Sequence, residues 1–378
     1  MARPACKGAV VAATSLVKRL TAVLGGLLGG VFVAGPAKAV DLPEDKAEGL
    51  YHVYNGGGVT AQGPAFLVRK SIADKVSLSG SVYVDAVSNA SIDVVTTASK
   101  FKETRTAYEL GMDYAYRDAL ISLSTSTSRE PDYTADAFSI DVSQEVYGGM
   151  TTVALGYTRG TDKVLKKGSP EFNDYAKHWQ YRLGITQILT PRLLASANLE
   201  AISDDGYLGS PYRAARVFGA TVPERNPRTR TSRALKFRVI GDLGSQNSAR
   251  AEYRYYWDTW DIKAHTAELG YSRHAGDQWL ADGFLRFYKQ GDALFYSDNA
   301  SSETTYISRN RQLSAFRSFS LGGKLSYTYK KVPGQYEVKL NGAFERVRFD
   351  YSDFTDVRTG QAYTFNANLL QLYVSATF

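Results

Sequence analysis

The chain ends in NLLQLYVSATF, residues 368–378, and this stretch decides the fold. Leu370, Leu372, Val374, Ala376 and Phe378 occupy every second position, and Gln371, Tyr373, Ser375 and Thr377 lie between them. A period of two gives a strand with one apolar and one polar face. The strand stops on an aromatic residue with no polar tail behind it.

Working back from that end, the same alternation recurs. In KVSLSGSVYVDAV (75–87), Val76, Leu78, Val82 and Val84 oppose Ser77, Ser79, Ser81, Tyr83 and Asp85. In RALKFRVIGD, Leu235, Phe237 and Val239 oppose Lys236 and Arg238, and in YEVKLNGAFE, Val338, Leu340 and Phe344 oppose Glu337, Lys339, Asn341 and Glu345. Each segment is long enough for a tilted strand to cross a bilayer.

Connections alternate between short and long. Tight turns fall near Ile72–Asp74, Arg117-Asp118, Gly148-Gly149, Thr190-Pro191, Gly244–Asn247, Gly276-Asp277 and Pro333-Gly334. Polar loops fall at 88–103, 161–174, 204–230, 291–311 and 351–366, with shorter ones near 130–133 and 259–262. This rhythm predicts an all-β, up-and-down antiparallel transmembrane β-barrel. Counting back gives about fifteen strands, and LYHVYN (50–55) supplies a first, so about sixteen are expected, with fourteen as the alternative. Trp179, Trp257, Trp260 and Trp279 lie near predicted strand ends, where aromatic girdles belong.

The N-terminal stretch has another character. Lys7, Lys18 and Arg19 precede the uncharged run LTAVLGGLLGGVFVAG (20–35), and Ala37-Lys38-Ala39 follows. That order predicts a cleaved secretory signal over 1–39, a short periplasmic segment over 40–49 and the barrel over 50–378. Without 1–39 the chain carries 40 basic and 38 acidic residues, so the pI near 9.1 is no sign of nucleic-acid binding. Cys6 is the only cysteine and lies in the predicted signal, so no disulfide or cysteine chemistry is expected beyond it.

Alternation turns Arg182, Glu200, Lys236, Arg238, Glu252, Arg254, Asp282 and Arg286 inward, with Lys324, Glu337, Lys339 and Glu345. They are candidate lumen-lining residues. Their mixed signs fit a wet interior with paired charges better than a strongly selective filter. The basic loop 204–230 offers Arg213, Arg228 and Arg230 as a candidate constriction if it folds inward; otherwise it is a solvated loop, or one that meets lipopolysaccharide. Asp258, Asp261, His265 and Glu268 crowd one stretch, but parity separates His265 from Glu268, and the other histidines read as isolated. No motif assigns a catalytic, cofactor or metal role. About ten residues precede the first strand, too few for a plug domain.

Several strings resemble an uncharacterised family of bacterial (Gram-negative) outer-membrane proteins catalogued as a domain of unknown function: LYHVYNGGG at 50–58, GPAFLVRKSIADKVSLSGSVYVDAVSNASIDVVTTAS at 63–99, DYTADAFSIDVSQ at 132–144, SPYRAARV at 210–217, PRTRTS at 227–232 and YRYYWDTWDIKAHTAELGY at 253–271. The family motif usually reads Asn-Pro-Tyr-Arg where this chain has Ser210-Pro211-Tyr212-Arg213. The resemblance implies a barrel in the outer membrane and supplies no catalytic residue, substrate or cofactor.

The functional expectation is a channel for small polar solutes or ions, not an enzyme. The alternative is a non-conducting scaffold barrel that docks a periplasmic or surface partner, and a barrel enzyme has the least support. Expected partners are outer-membrane lipid, lipopolysaccharide, a periplasmic partner in the scaffold reading, and the barrel-assembly machinery, with no nucleic acid; the amphipathic last strand closing on Phe378 resembles the signal by which bacterial outer-membrane barrels are handed to that machinery.

Overall fold

Alternating sequence becomes sheet throughout the computed structural model, which describes residues 40–89 and 101–378. The predicted signal at 1–39 lies outside the described residues. The chain runs through β1 (Lys46–Gly56), β2 (Val59–Ala73), β3 (Val76–Asn89), β4 (Phe101–Tyr116), β5 (Ala119–Glu130), β6 (Tyr133–Val146), β7 (Thr151–Leu165), β8 (Asn173–Thr190) and β9 (Leu193–Gly206). A small separate hairpin, β10 (Ala214–Val217) and β11 (Ala220–Pro223), follows. Then come β12 (Thr229–Gly244), β13 (Asn247–Asp258), β14 (Lys263–Ala275), β15 (Trp279–Gln290), β16 (Phe316–Val332), β17 (Tyr336–Asp356) and β18 (Gln361–Thr377).

All but the hairpin form one closed antiparallel barrel of sixteen strands, each beside its chain neighbour. The first and last strands close the seam, in register from Lys46↔Thr377 to Gly56↔Ala367. Closure leaves no unpaired edge, which a backbone in hydrocarbon requires. The outward face exposes Phe66, Val68, Leu110, Leu155, Leu269, Leu321 and Leu372. The opposite parity buries or half-buries His52, Asp85, Arg105, Asp113 and Glu345. This is the inverted pattern of an outer-membrane-type barrel, apolar outside and polar within.

Both described termini lie at the end with the tight turns. There the Phe378 amide donates to the Asp45 carbonyl at 3.1 Å. The Asp45 carboxylate accepts from the Ser71 amide at 2.5 Å and pairs with Lys70 Nζ at 2.7 Å. Lys70 Nζ stands 4.8 Å from the Phe378 ring centroid. Phe378 is thus fixed to the first two strands as well as to its own.

Several boundaries differ from the sequence reading. The first strand begins at Lys46, not Leu50, because its register with β18 and β2 continues through Glu48. The expected loops 161–174 and 351–366 shrink to 166–172 and 357–360. At 351–366 the outward positions, Ser352 and Thr364, are polar and suggested a loop. The inward ones, Tyr351, Tyr363 and Phe365, pack beneath another loop and keep the strands paired. Trp260 joins no outer girdle. It is buried in the barrel mouth, its indole N–H donating to the Thr229 carbonyl at 2.9 Å.

Candidate functional site

The lumen wall from β6 to β17 carries three groups of paired charges. Arg182 holds Asp141 through two bonds of 2.9 Å, and also donates to Thr158 and Gln180. Gln180 bonds Glu200, which pairs with Arg254 at 3.4 Å. Glu252 lies 3.7 Å from Lys236 and 3.9 Å from Arg238. Farther round, Arg250 bridges Asp282 (2.5 Å) and Glu268 (3.5 Å), and Arg286 bridges Glu268 (2.8 Å) and Glu345 (3.3 Å). The structure therefore turns all eight candidate lumen residues inward, each with a partner across the strands. Lys324 lies with its Nζ 5.3 Å from the Tyr373 ring centroid.

Inward glycines shape these groups. A Cβ on Gly270 would stand 2.3 Å from Arg250 Cζ, and one on Gly156 would stand 2.1 Å from Asp141 Oδ1 and 2.7 Å from Arg182 Nε. One on Gly322 would meet the Phe284 ring at 2.3 Å. The long side chains lie down along the wall, over bare backbone, instead of standing into the lumen. Arg182, Glu200, Lys236 and Arg254 remain about one-third exposed, and Asp141 nearly half, so this part of the wall is wet.

The wall formed by β1–β4 is drier. His52 Nε2 lies 2.7 Å from Asp85 and 2.9 Å from the Tyr83 hydroxyl, with the His52 and Tyr83 rings stacked. Arg105 approaches Asp85 at 3.9 Å and donates to Ser128 at 3.0 Å. All but Tyr83 of this group are buried. At the loop end, His178 Nδ1 meets Asp204 at 2.8 Å and Nε2 meets Asp162 at 3.0 Å. Ionised carboxylates only accept, so this bridge is complete only when both ring nitrogens carry hydrogen. Asp162 also accepts from the Tyr133 hydroxyl.

His52 and His178 are therefore not isolated, as the sequence had suggested. His178's partners sit on the two strands beside β8 and His52's on β3, two strands from β1, at sequence distances with no motif. Among the described residues these partners are carboxylates and a tyrosine, and no serine or threonine hydroxyl bonds either ring. His265 behaves as parity required: it faces outward, 2.7 Å from the Tyr253 hydroxyl, while Asp258 and Glu268 face inward. Among the described residues no cluster of His, Cys, Asp or Glu is arranged to hold a metal ion.

Two long loops, 207–228 and 291–315, interlock over the mouth. Val217 bridges to Ala300 and Arg225 to Ile307 through backbone bonds. The Gly219 amide bonds Asn299, Arg225 pairs with Glu303 at 2.7 Å, and Ser308 donates to Glu224 at 2.5 Å. The first loop reaches the β5–β6 connection, where the Tyr212 hydroxyl donates to Asp132 and accepts from the Lys167 amide. Burial, then the Asp132 bond, push this hydroxyl up from its ordinary pKa.

The second loop carries a 3-10 turn, Arg311–Leu313, and reaches the opposite rim. There Arg309 donates to the Thr355 carbonyl and Asp298, with its guanidinium 4.3 Å from the Phe354 ring. Arg311 lies over Tyr363 and Phe365. The Tyr296 hydroxyl donates to the Asp353 carbonyl. The result is one lid from Asp132 on one side to Phe365 on the other.

The three candidate constriction arginines part company here. Arg230 points inward, pairs with the buried Asp258 and lies 4.5 Å from the Trp260 ring. Arg228 sits on the rim, paired with Asp174 at 2.7 Å. Arg213 joins the lid through its backbone, its amide bonded to Ser210 and its carbonyl to Glu224. The inward-folded segment of 291–315, with Arg309 and Arg311, was not singled out from the sequence. Its one signal was the repeated aromatic residue at the inward positions of 351–365, which needed something to pack against.

Residues 160–345 match a family described as "Protein of unknown function (DUF3570)", so the family resemblance read from the sequence holds from within β7 to within β17. The strings at 210–217, 227–232 and 253–271 fall inside that match. No curated protein matches the sequence. Among solved structures, one titled a bacterial polysaccharide outer membrane secretin aligns at TM-score 0.50 and 6% identity, over 89% of this chain and 99% of the other. OmpT, an outer membrane protein of Vibrio cholerae, aligns at TM-score 0.46 and 8% identity, over 90% and 100% of the two chains. The siderophore receptor PirA from Pseudomonas aeruginosa aligns at TM-score 0.44 and 9% identity, over 89% and 81%. At these identities the likeness is one of fold.

Proposed function

We propose that this chain resides in the outer membrane, its tight turns in the periplasm, and passes small polar solutes or ions through its lumen. One observation carries this reading: Arg250 lies against the bare backbone of Gly270, and Arg182 with its partner Asp141 against that of Gly156, so these charges lie along the wall of a lumen lined by both signs. In a low-dielectric barrel, a lining that presents both signs lowers the cost of entry for cations and anions alike. The paired charges favour weak selectivity, and the lid makes the mouth narrower than the barrel below it. Export through a signal at 1–39, and insertion by machinery that reads the last strand and Phe378, complete the proposal.

Conductance of the folded protein in a planar lipid bilayer tests it. Stepwise currents with a near-zero reversal potential in a salt gradient are expected. A folded barrel that passes no current would overturn the passage reading. It would favour a scaffold that docks a partner on the lid, a second reading supported by the backbone bonds that lock the two loops together.

A further inference from the structure

The outer face of β15, β16 and β17 carries a charge pattern that the lumen does not explain. On β15 the outward apolar residues Leu285 and Phe287 are followed, toward the loop end, by Lys289. On β16, Leu321 and Phe319 are followed by Arg317, and on β17, Phe344 is followed by Arg346 and Arg348. The first outward position beyond the apolar band is thus basic on three successive strands.

Register brings two of these groups together, while Arg346 lies lower on the wall, opposite Leu321. Lys289 lies directly opposite Arg317, and His265 directly opposite Lys289. Like charges facing across strands repel, so the row is unfavourable unless an anion sits among them. The strands supply one carboxylate. Asp350 is 3.0 Å from Arg348 Nε and 3.8 Å from Arg317 Nε. Among the described residues Lys289 and Arg346 have no carboxylate partner.

Below the basic row the surface suits acyl chains. Leu285, Phe287, Phe319, Leu321 and Phe344 are each at least 44% exposed. Gly283 and Gly323 face each other across β15 and β16, and a Cβ on either would meet no side chain within 4 Å. A shallow apolar furrow therefore leads from the cationic row toward the middle of the barrel wall.

We propose that this face binds an anionic glycolipid of the outer leaflet, its phosphate held by Lys289 and Arg317 and its acyl chains lying along the furrow. Phosphate supplies the missing anion, and the apolar surface directly beneath selects a lipid phosphate over a soluble one. The inference rests on the proposed orientation, with the loop end facing outward.

The test uses the full folded barrel in nanodiscs containing diphosphoryl lipid A, with retained lipid read by native mass spectrometry. The wild type is expected to retain it. The Lys289→Gln, Arg317→Gln variant is expected to retain at least about tenfold less, as interfacial basic residues dominate such binding. Dephosphorylated lipid A is expected to behave as the variant does, and inorganic phosphate in millimolar excess should not displace the lipid. The charge-conserving pair Lys289→Arg, Arg317→Lys should keep retention, which guards against loss through misfolding.

Equal retention by the neutral variant, equal binding of the dephosphorylated lipid, or displacement by inorganic phosphate would each overturn the inference. Bilayer conductance of the same proteins separates it from the passage reading, because these side chains face away from the lumen. Current without phosphate-dependent retention overturns this site alone, and retention without current overturns passage alone.

Discussion

Arg250 lies flat against the bare backbone of Gly270, with its Cζ 2.3 Å from where a Cβ would stand. From there its guanidinium joins the carboxylates of Asp282 and Glu268. A glycine on one strand thus fixes an ion-pair chain that crosses three others. Gly270→Ala should push the guanidinium off the wall, destabilise the barrel by about 1–3 kcal/mol and reduce conductance. Heat-modifiability on gels and single-channel current check both. Gly276→Ala is a contrasting control. Its Cβ would meet nothing within 4 Å, though its φ of 64° adds local strain, so it should leave conductance unchanged.

Arg250→Gln should cost more than the glycine change. It leaves Asp282 and Glu268, both largely buried, with less positive charge between them, and losing one partner of a buried pair costs about 3–5 kcal/mol. Arg286 still holds Glu268, so the lower part of that range is expected. The midpoint of the thermal transition would show it.

Tyr212 ties one end of the lid to Asp132. Tyr212→Phe removes a hydrogen bond to a carboxylate, a loss of about 1.5–3 kcal/mol when the partner is ionised. The barrel strands do not depend on that bond, so the effect should fall on the lid. Current noise and closing events should increase, with little change in the unfolding midpoint. An unchanged current record with a large fall in midpoint would contradict this assignment.

Asp45 gives a pH dependence with a definite sign. The Lys70 bond, then the Ser71 amide, lower its pKa from 3.8 to about 2. A carboxyl with a depressed folded-state pKa contributes stability above its unfolded value and loses it as pH falls through the folded one. Wild-type protein should therefore lose an increment of thermal stability between about pH 4 and pH 2 that Asp45→Asn lacks. Scans of both proteins across that window, at high detergent and constant salt, make the comparison.

His178 keeps Asp162 and Asp204 apart. His178→Leu leaves two carboxylates on either side of β8 with no imidazole between them, and like charges repel. The variant should be less stable than wild type at neutral pH and recover part of the difference near pH 4, where the carboxylates begin to protonate. A deficit unchanged by pH would assign the loss to packing.

Much of the barrel was legible in the sequence because each barrel strand must satisfy two solvents at once. Lipid on one side and water on the other write a period of two into strands such as 75–87 and 336–345, and glycine pairs mark several turns. The same parity gave the inward set from Arg182 to Arg286. The lid was less legible. Tyr212 and Asp132, or Val217 and Ala300, meet through the closure of the barrel, which no local pattern encodes. Loop 351–366 was misjudged for a related reason. Its outward residues are polar because they stand above the hydrocarbon, and its inward aromatics serve a loop from elsewhere in the chain. His52 and His178 seemed isolated because their partners come from other strands, 16 to 33 residues away.

The lid also has a history in time. Its contacts are long-range: Tyr212 reaches back 80 residues to Asp132, and Arg225 reaches forward 78 residues to Glu303. A sheet built only as far as β9 has Asp132 but neither Tyr212 nor anything for the second clasp. One begun from the C-terminal strands has Glu303 and Ser308 with no hairpin to receive. Such non-local contacts form late, after the intervening chain has been ordered. The mouth can be bridged only once both halves of the cylinder stand, so the lid marks a finished barrel, and an unfinished one must remain uncapped.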